Sequence, residues 1–133
     1  MASIKKIALV SMDVEEWFHL DYIKDPSSSF TMLDGLDRFV GFADNENIPI
    51  TLFALTDLFP KLSTSFKSAI KNGHEIALHG TSHKRPLEMS LDEFEANCQK
   101  GMKIFQENLG FVPFGYRASC FSLDRDRMNI LKN

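Results

Sequence analysis

The stretch Gly73-His74-Glu75-Ile76-Ala77-Leu78-His79-Gly80-Thr81-Ser82-His83 decides how this chain is read. Its segment from His74 to Leu78 has the length and apolar content of a buried strand, and it delivers His79 to the strand's C-terminal end. His79 and His83 stand four residues apart, so a helical turn there puts both imidazoles on one face, where they reach one ion. The plainer alternative is a strand capped by His79 and followed by an ordinary surface histidine. An HxxxH spacing recurs by chance, so the flanking segments have to arbitrate.

Upstream, Ile4 to Met12 mixes β-branched and apolar residues without sustained alternation, as in a parallel strand buried on both faces. It runs into Asp13-Val14-Glu15-Glu16-Trp17-Phe18-His19, where extended backbone points Asp13 and Glu15 the same way. A solvated acidic turn over Trp17 and Phe18 is the simpler reading of that cluster alone. Asp25-Pro26-Ser27-Ser28-Ser29 is turn-rich, and Leu33, Leu36, Phe39, Val40 and Ala43 then recur at helical spacing up to Asn47. Ile48 to Leu55 reads as a second strand, with Pro49 tolerated at its start. Leu62, Phe66, Ala69 and Ile70 form a second helical stripe, which Asn72-Gly73 ends.

Downstream, a loop runs through Pro86, and Ser90-Leu91-Asp92-Glu93 is a capping box. From it Leu91, Phe94, Cys98, Met102, Phe105 and Leu109 carry a core face to Gly110. Phe111 to Ala118 reads as a fourth strand with Arg117 at its end, and Ser122 to Lys132 as the start of a fourth helix. Strands alternating with helices imply parallel βα units with right-handed crossovers, whose ligands gather beyond the carboxyl ends of the strands. The acidic cluster, the histidine pair and Arg117 all fall at such ends, which points to a metal site on that rim.

With 133 residues the chain has the length of one domain with a real core. A net charge of -3, with its cations dispersed, offers no stripe for nucleic acid and no polybasic membrane anchor. The apolar runs are strand-sized, and Ile7-Ala8-Leu9-Val10 is too short for a signal or membrane segment, so a cytoplasmic location is expected. Cys98 and Cys120 lack a CxxC spacing and are expected to be reduced thiols, Cys98 buried and inert.

Taken together, the motifs resemble the polysaccharide deacetylase family, the NodB-homology carbohydrate esterases. Asp13-Val14-Glu15 is similar to the first family motif, His79 to His83 to the second, and Gly115-Tyr116-Arg117-Ala118 to the third. Ile50-Thr51-Leu52-Phe53 resembles the family's second strand, and Gly73-His74-Glu75-Ile76 the approach to the histidines. The form Asp-Val-Glu-Glu-Trp-Phe looks most like the branch serving exopolysaccharide and cell-envelope glycan synthesis.

The resemblance implies an α/β fold, a partial (β/α) barrel with about four βα units, in which residues 1–133 form the N-terminal part of the deacetylase domain. It implies hydrolytic removal of N-acetyl groups from a glycan with a divalent metal, usually zinc. His79, His83 and Glu15 would hold the metal, Asp13 would act as base, and Arg117 would orient Asp13 by a bidentate contact; the reverse carboxylate assignment, and Glu16 as ligand, stay open. The family's leaving-group acid is a later histidine, and His19 and His74 are poor substitutes, the first in a loop expected to be mobile and the second ahead of its strand. Ser119 and Cys120 depart from the third motif, where proline and serine are usual.

An open half-barrel exposes strand edges and apolar helix faces, which predicts association with a second copy or with a missing C-terminal half. Three other readings compete: an inactive carbohydrate-binding or assembly module, an amidohydrolase of small amides, and a flavodoxin-like binding domain, the last of which leaves the histidine pair unexplained.

Overall fold

Short apolar runs alternating with longer amphipathic ones give the described residues a three-stranded parallel sheet in the order β1 (Ser11–Val14), β2 (Thr51–Leu55), β3 (Glu75–Gly80). A computed structural model describes residues 7–20, 22–23 and 32–132, the side chains of 32–34 excepted. The helices are α1 (Met32–Asn45), α2 (Phe59–Lys71), α3 (Leu91–Leu109) and α4 (Arg125–Ile130). Ile4, the turn at 25–29 and the Leu33 side chain lie outside the described residues.

Strand pairing aligns Ser11, Thr51 and Glu75 in one row and Asp13, Phe53 and Ala77 in the next row but one. Period-two alternation then sends Val14, Leu52, Ala54, Ile76 and Leu78 to the opposite face, where they are buried in one core with Leu36, Leu62, Phe66 and Phe105 from the helices. The row of Ser11 and Glu75 is exposed, and Asp13 and Phe53 are half-buried, so β1 and β2 are not buried on both faces as expected, whereas β3 is, with Ala77 and His79 buried as well as Ile76 and Leu78. One face holds the core. The other is available for chemistry.

β1 is shorter than the expected run from Ile4 to Met12. Extending its register would set Leu9 opposite Pro49, which has no N–H to donate, and pairing starts only where Thr51 N donates to Val10 O. Ile7 and Leu9 are correspondingly exposed. The same proline delays β2 to Thr51.

The expected fourth strand from Phe111 to Ala118 contracts to one parallel bridge, between Leu78 and Tyr116. Leu78 N donates to Gly115 O, and Arg117 N donates to Leu78 O. Pro113 cannot extend the ladder, and Gly115 has its Cα side against Ala77, where a Cβ would fall 3.0 Å from the alanine methyl. Val112 and Phe114 are left exposed.

α3 follows its sequence signals closely. Ser90 Oγ accepts from Glu93 N, Glu93 Oε2 accepts from Ser90 N, and Gly110 closes the helix with φ of 83°. Its buried face is Phe94, Cys98, Gly101 and Phe105. Leu91, expected on that face, is exposed because Met89 fills the space beside Phe94 and Cys98. A Cβ at Gly101 would come within 2.8 Å of a Leu78 methyl, so this glycine lets α3 lie directly on β3. Phe105 packs between Phe59 and Phe111, with ring centroids 4.8 and 5.9 Å away. Buried Arg127 of α4 donates to the carbonyls of Pro86 and Met89 and pairs with Asp124, which ties α4 to the loop beyond His83.

Burial pushes the Cys98 thiol up to about 11, while Cys120 is exposed. Titration of the native chain with a thiol-specific disulfide reagent at neutral pH is therefore expected to give one fast equivalent from Cys120 and a second only on unfolding. Equal fast reaction of both would contradict the packing of α3.

Candidate metal centre

β1 ends at Val14, and its alternation carries Asp13 and Glu15 to the half-open face of the sheet. β3 brings His79 to the same face at its own end, with the ring only 2% exposed. Beyond it the backbone turns away at Gly80, whose φ is 117° and where a Cβ would sit 3.1 Å from Ser82 O. Residues 81–83 form bends rather than a helical turn, so the two histidines do not meet in the expected helical way. The turn at Gly80 folds the chain back, and the two rings lie 5.6 Å apart between centroids.

Glu15, His79 and His83 offer one ligand atom each, all within 4.8 Å of one another. Glu15 Oε2 is 2.9 Å from His83 Nε2 and 3.7 Å from His79 Nε2. Ligand atoms about 2.0–2.1 Å from a tetrahedral ion are spaced about 3.3 Å apart, so these separations bracket what such an ion needs.

The hydrogen bonds of His79 say what its ring presents to that space. His79 Nδ1 is 2.8 Å from Arg117 O, and because a carbonyl only accepts, Nδ1 carries the proton. That leaves Nε2 as the ring atom facing Glu15 Oε2, 3.7 Å away, and Asp13 Oδ2, 4.0 Å away. Glu15 Oε2 is itself buried without an aligned hydrogen-bond donor. Two imidazoles and a carboxylate that converge in this way suit a divalent metal such as zinc. The neighbouring imidazoles, His79 foremost, hold the Glu15 carboxyl below the ordinary carboxylate range against the opposing effect of its burial.

Arg117 donates from Nη1 to Asp13 Oδ1 at 2.6 Å and from Nη2 to Ser11 Oγ at 2.8 Å, and its guanidinium carbon lies 3.9 Å from the centre of the Phe53 ring. The expected bidentate contact is thus divided between two partners, which leaves Asp13 Oδ2 directed at the cluster. Ser11 was readable from the sequence, being two residues before Asp13 on the same strand face. Phe53 gave no comparable signal.

Glu16, the other carboxylate weighed for the site, is buried and caps the single turn Trp17–His19, where its side chain accepts from the His19 backbone. His19 is not in a loose loop. Its Nδ1 accepts from Glu16 N at 2.8 Å, and its Nε2 lies 3.2 Å from Asp57 Oδ2. His74 accepts from Ile50 N and meets Asp44 Oδ1 at 2.9 Å, at the opposite end of the strands from the cluster. Ser119 is buried, with Oγ 3.5 Å from His79 O. A concavity of about 500 Å³, lined by Leu78, Cys98, Met102, Phe114, Tyr116 and Leu131 among others, contains none of the cluster residues. Among the described residues no helix is long and apolar enough to cross a membrane.

Comparison with known proteins adds a family to this geometry. Residues 32–133 match the family profile described as polysaccharide deacetylase. A peptidoglycan deacetylase of Helicobacter pylori is 27% identical over 84 residues, covering 63% of this chain and 29% of that protein. A Mycobacterium smegmatis structure described as that of a polysaccharide deacetylase is 28% identical, with a TM-score of 0.69, over 74% of this chain and 35% of its own. A family 4 acetyl xylan esterase from Clostridium thermocellum, solved with a cobalt ion, matches in fold with a TM-score of 0.68 at 15% identity, over 92% of this chain and 53% of that one. This chain therefore spans about a third to a half of the length of these relatives, and its parallel βα units are part of a (β/α) barrel.

Gly80→Ala is expected to cost about 1–3 kcal/mol, because a side chain at that φ is strained and its Cβ meets Ser82 O. Urea unfolding measures it. A change within error of zero would show that the turn beyond His79 relaxes freely.

Proposed function

Because this chain belongs to the polysaccharide deacetylase family, we propose that it is a metal-dependent hydrolase that removes N-acetyl groups from a glycan, with residues 1–133 supplying the metal-holding part of the domain. The relative named as a peptidoglycan deacetylase supports an N-acetylated cell-envelope glycan as the substrate. The observation that carries the reading is the convergence of Glu15, His79 and His83 beside Asp13, which Arg117 holds by one oxygen.

In this reading Glu15, His79 and His83 hold the ion, and zinc is the metal we assign. When bound, such an ion acidifies a water and polarises an amide carbonyl. Asp13 is the base. Arg117 occupies its Oδ1, so the remaining oxygen faces the cluster and can take the proton of an attacking water. Arg117 is held in turn by Ser11 and by the face of Phe53, so the base cannot rotate away without breaking a charge-assisted hydrogen bond. His79 keeps its Nε2 toward the ion because Nδ1–H is committed to Arg117 O. We assign Glu15 the ligand role and Asp13 the base role because Glu15 is the carboxylate nearer to both imidazoles. His19 and His74 spend both ring nitrogens on neighbours and offer no proton to a leaving amine.

Native mass spectrometry of the purified chain with added zinc should show one ion per chain, and His79→Ala should abolish it; retention of the ion by that variant would remove the site. Acetate release from an N-acetylglucosamine oligomer is the activity test. Asp13→Asn is expected to keep the ion and to lower acetate release by about 10²- to 10⁴-fold, the usual contribution of a positioned base.

A further inference from the structure

His83 stands on a loop rather than on a strand or helix, yet its Nε2 comes within 2.9 Å of Glu15. What holds the loop is Thr81, midway between the two histidines. Thr81 N donates to Asn97 Oδ1 at 3.3 Å, Asn97 Nδ2 donates to Thr81 Oγ1 at 2.6 Å, and Thr81 O accepts from Asp57 N at 3.2 Å. All three polar groups of Thr81 are thereby engaged, two of them by the one side-chain amide. The amide orientation is determined by the partners, since the Thr81 N–H can only donate.

Asn97 is on α3, one residue before buried Cys98, on a helix seated closely against β3 through Gly101. Its Cα position is therefore set by the core and not by the loop. We propose that Asn97 is a positioning residue for metal binding: it transmits the rigid placement of α3 to the loop, and so fixes His83 opposite His79 before an ion arrives. The inference rests on the metal reading above and extends it to a residue that touches none of the ligands. Without Asn97 the loop would retain the Asp57 contact and the turn at Gly80, and binding would then have to order His83.

The test is zinc affinity of the full chain, measured by competition with a chromophoric chelator. Asn97→Ala should weaken zinc roughly 10- to 100-fold, the usual effect of removing a partner that orients a ligand. Asn97→Asp, whose carboxylate can accept from both the Thr81 N–H and its hydroxyl, should return the affinity to within about threefold of the wild type. Thr81→Val keeps the backbone bond and loses the hydroxyl, so it should weaken zinc by less than Asn97→Ala and supplies the readout if that variant folds poorly. A merely structural role would lower the urea midpoint of both alanine and aspartate variants and leave zinc affinity unmoved. Wild-type binding with unchanged affinity in Asn97→Ala and Thr81→Val overturns this inference alone. Absence of zinc binding by the wild type overturns the metal reading and this inference with it.

Discussion

One hydrogen bond, from His79 Nδ1 to the carbonyl of Arg117, joins the parts on which the rest of the site depends. A buried imidazole must satisfy its N–H internally, and this ring has the carbonyl within 2.8 Å. The same residue whose backbone orients His79 sends its side chain to Asp13. Its position is set by the parallel bridge between Leu78 and Tyr116, where the backbone groups of Leu78 take Gly115 O and Arg117 N. A single backbone register therefore sets the tautomer of one ring and the orientation of one carboxylate.

The sheet divides its work between its faces. Val14, Leu52, Ala54, Ile76 and Leu78 give one face wholly to the core, where Phe59, Phe66 and Phe105 from the helices supply the largest buried side chains. The other face carries Asp13, Phe53, buried His79 and the neighbouring Arg117, and the charges of Asp13 and Arg117 are kept together because both are partly exposed and paired with each other. Two carboxylates and two imidazoles within a few ångströms are a local cost that hydrophobic burial elsewhere offsets. α4 contributes little apolar area, but buried Arg127 gives it three polar ties, two of them to the loop that follows His83.

Several features were legible because their causes are local. Ser90 and Glu93 announce the start of α3 and Gly110 its end, since a cap involves residues three or four apart. The period-two alternation of β1 put Asp13 and Glu15 on one face, and the apolar run before His79 put that residue at a strand end. Where two local signals conflict, the stronger backbone constraint wins. Phe111 to Ala118 has strand-like composition, but Pro113 and Gly115 reduce it to one bridge. The HxxxH spacing suggested a helical turn, but Gly80 at φ of 117° gives a sharp reversal instead. Leu91 fits the helical stripe of α3 and is exposed, because Met89, outside the helix, lies in its place.

Which residue types stand at the strand ends is written along the chain, since hydrophobic periodicity, capping and turn chemistry act over a few neighbours and leave their marks in order. What those residues do to one another depends on contacts between distant elements. Arg117 divides its guanidinium between Asp13 and Ser11, more than a hundred positions away, and Asn97 reaches Thr81 from a different element. Such pairings depend on strand register and on how closely α3 approaches β3. Both are set by packing the whole core, so no local pattern records them.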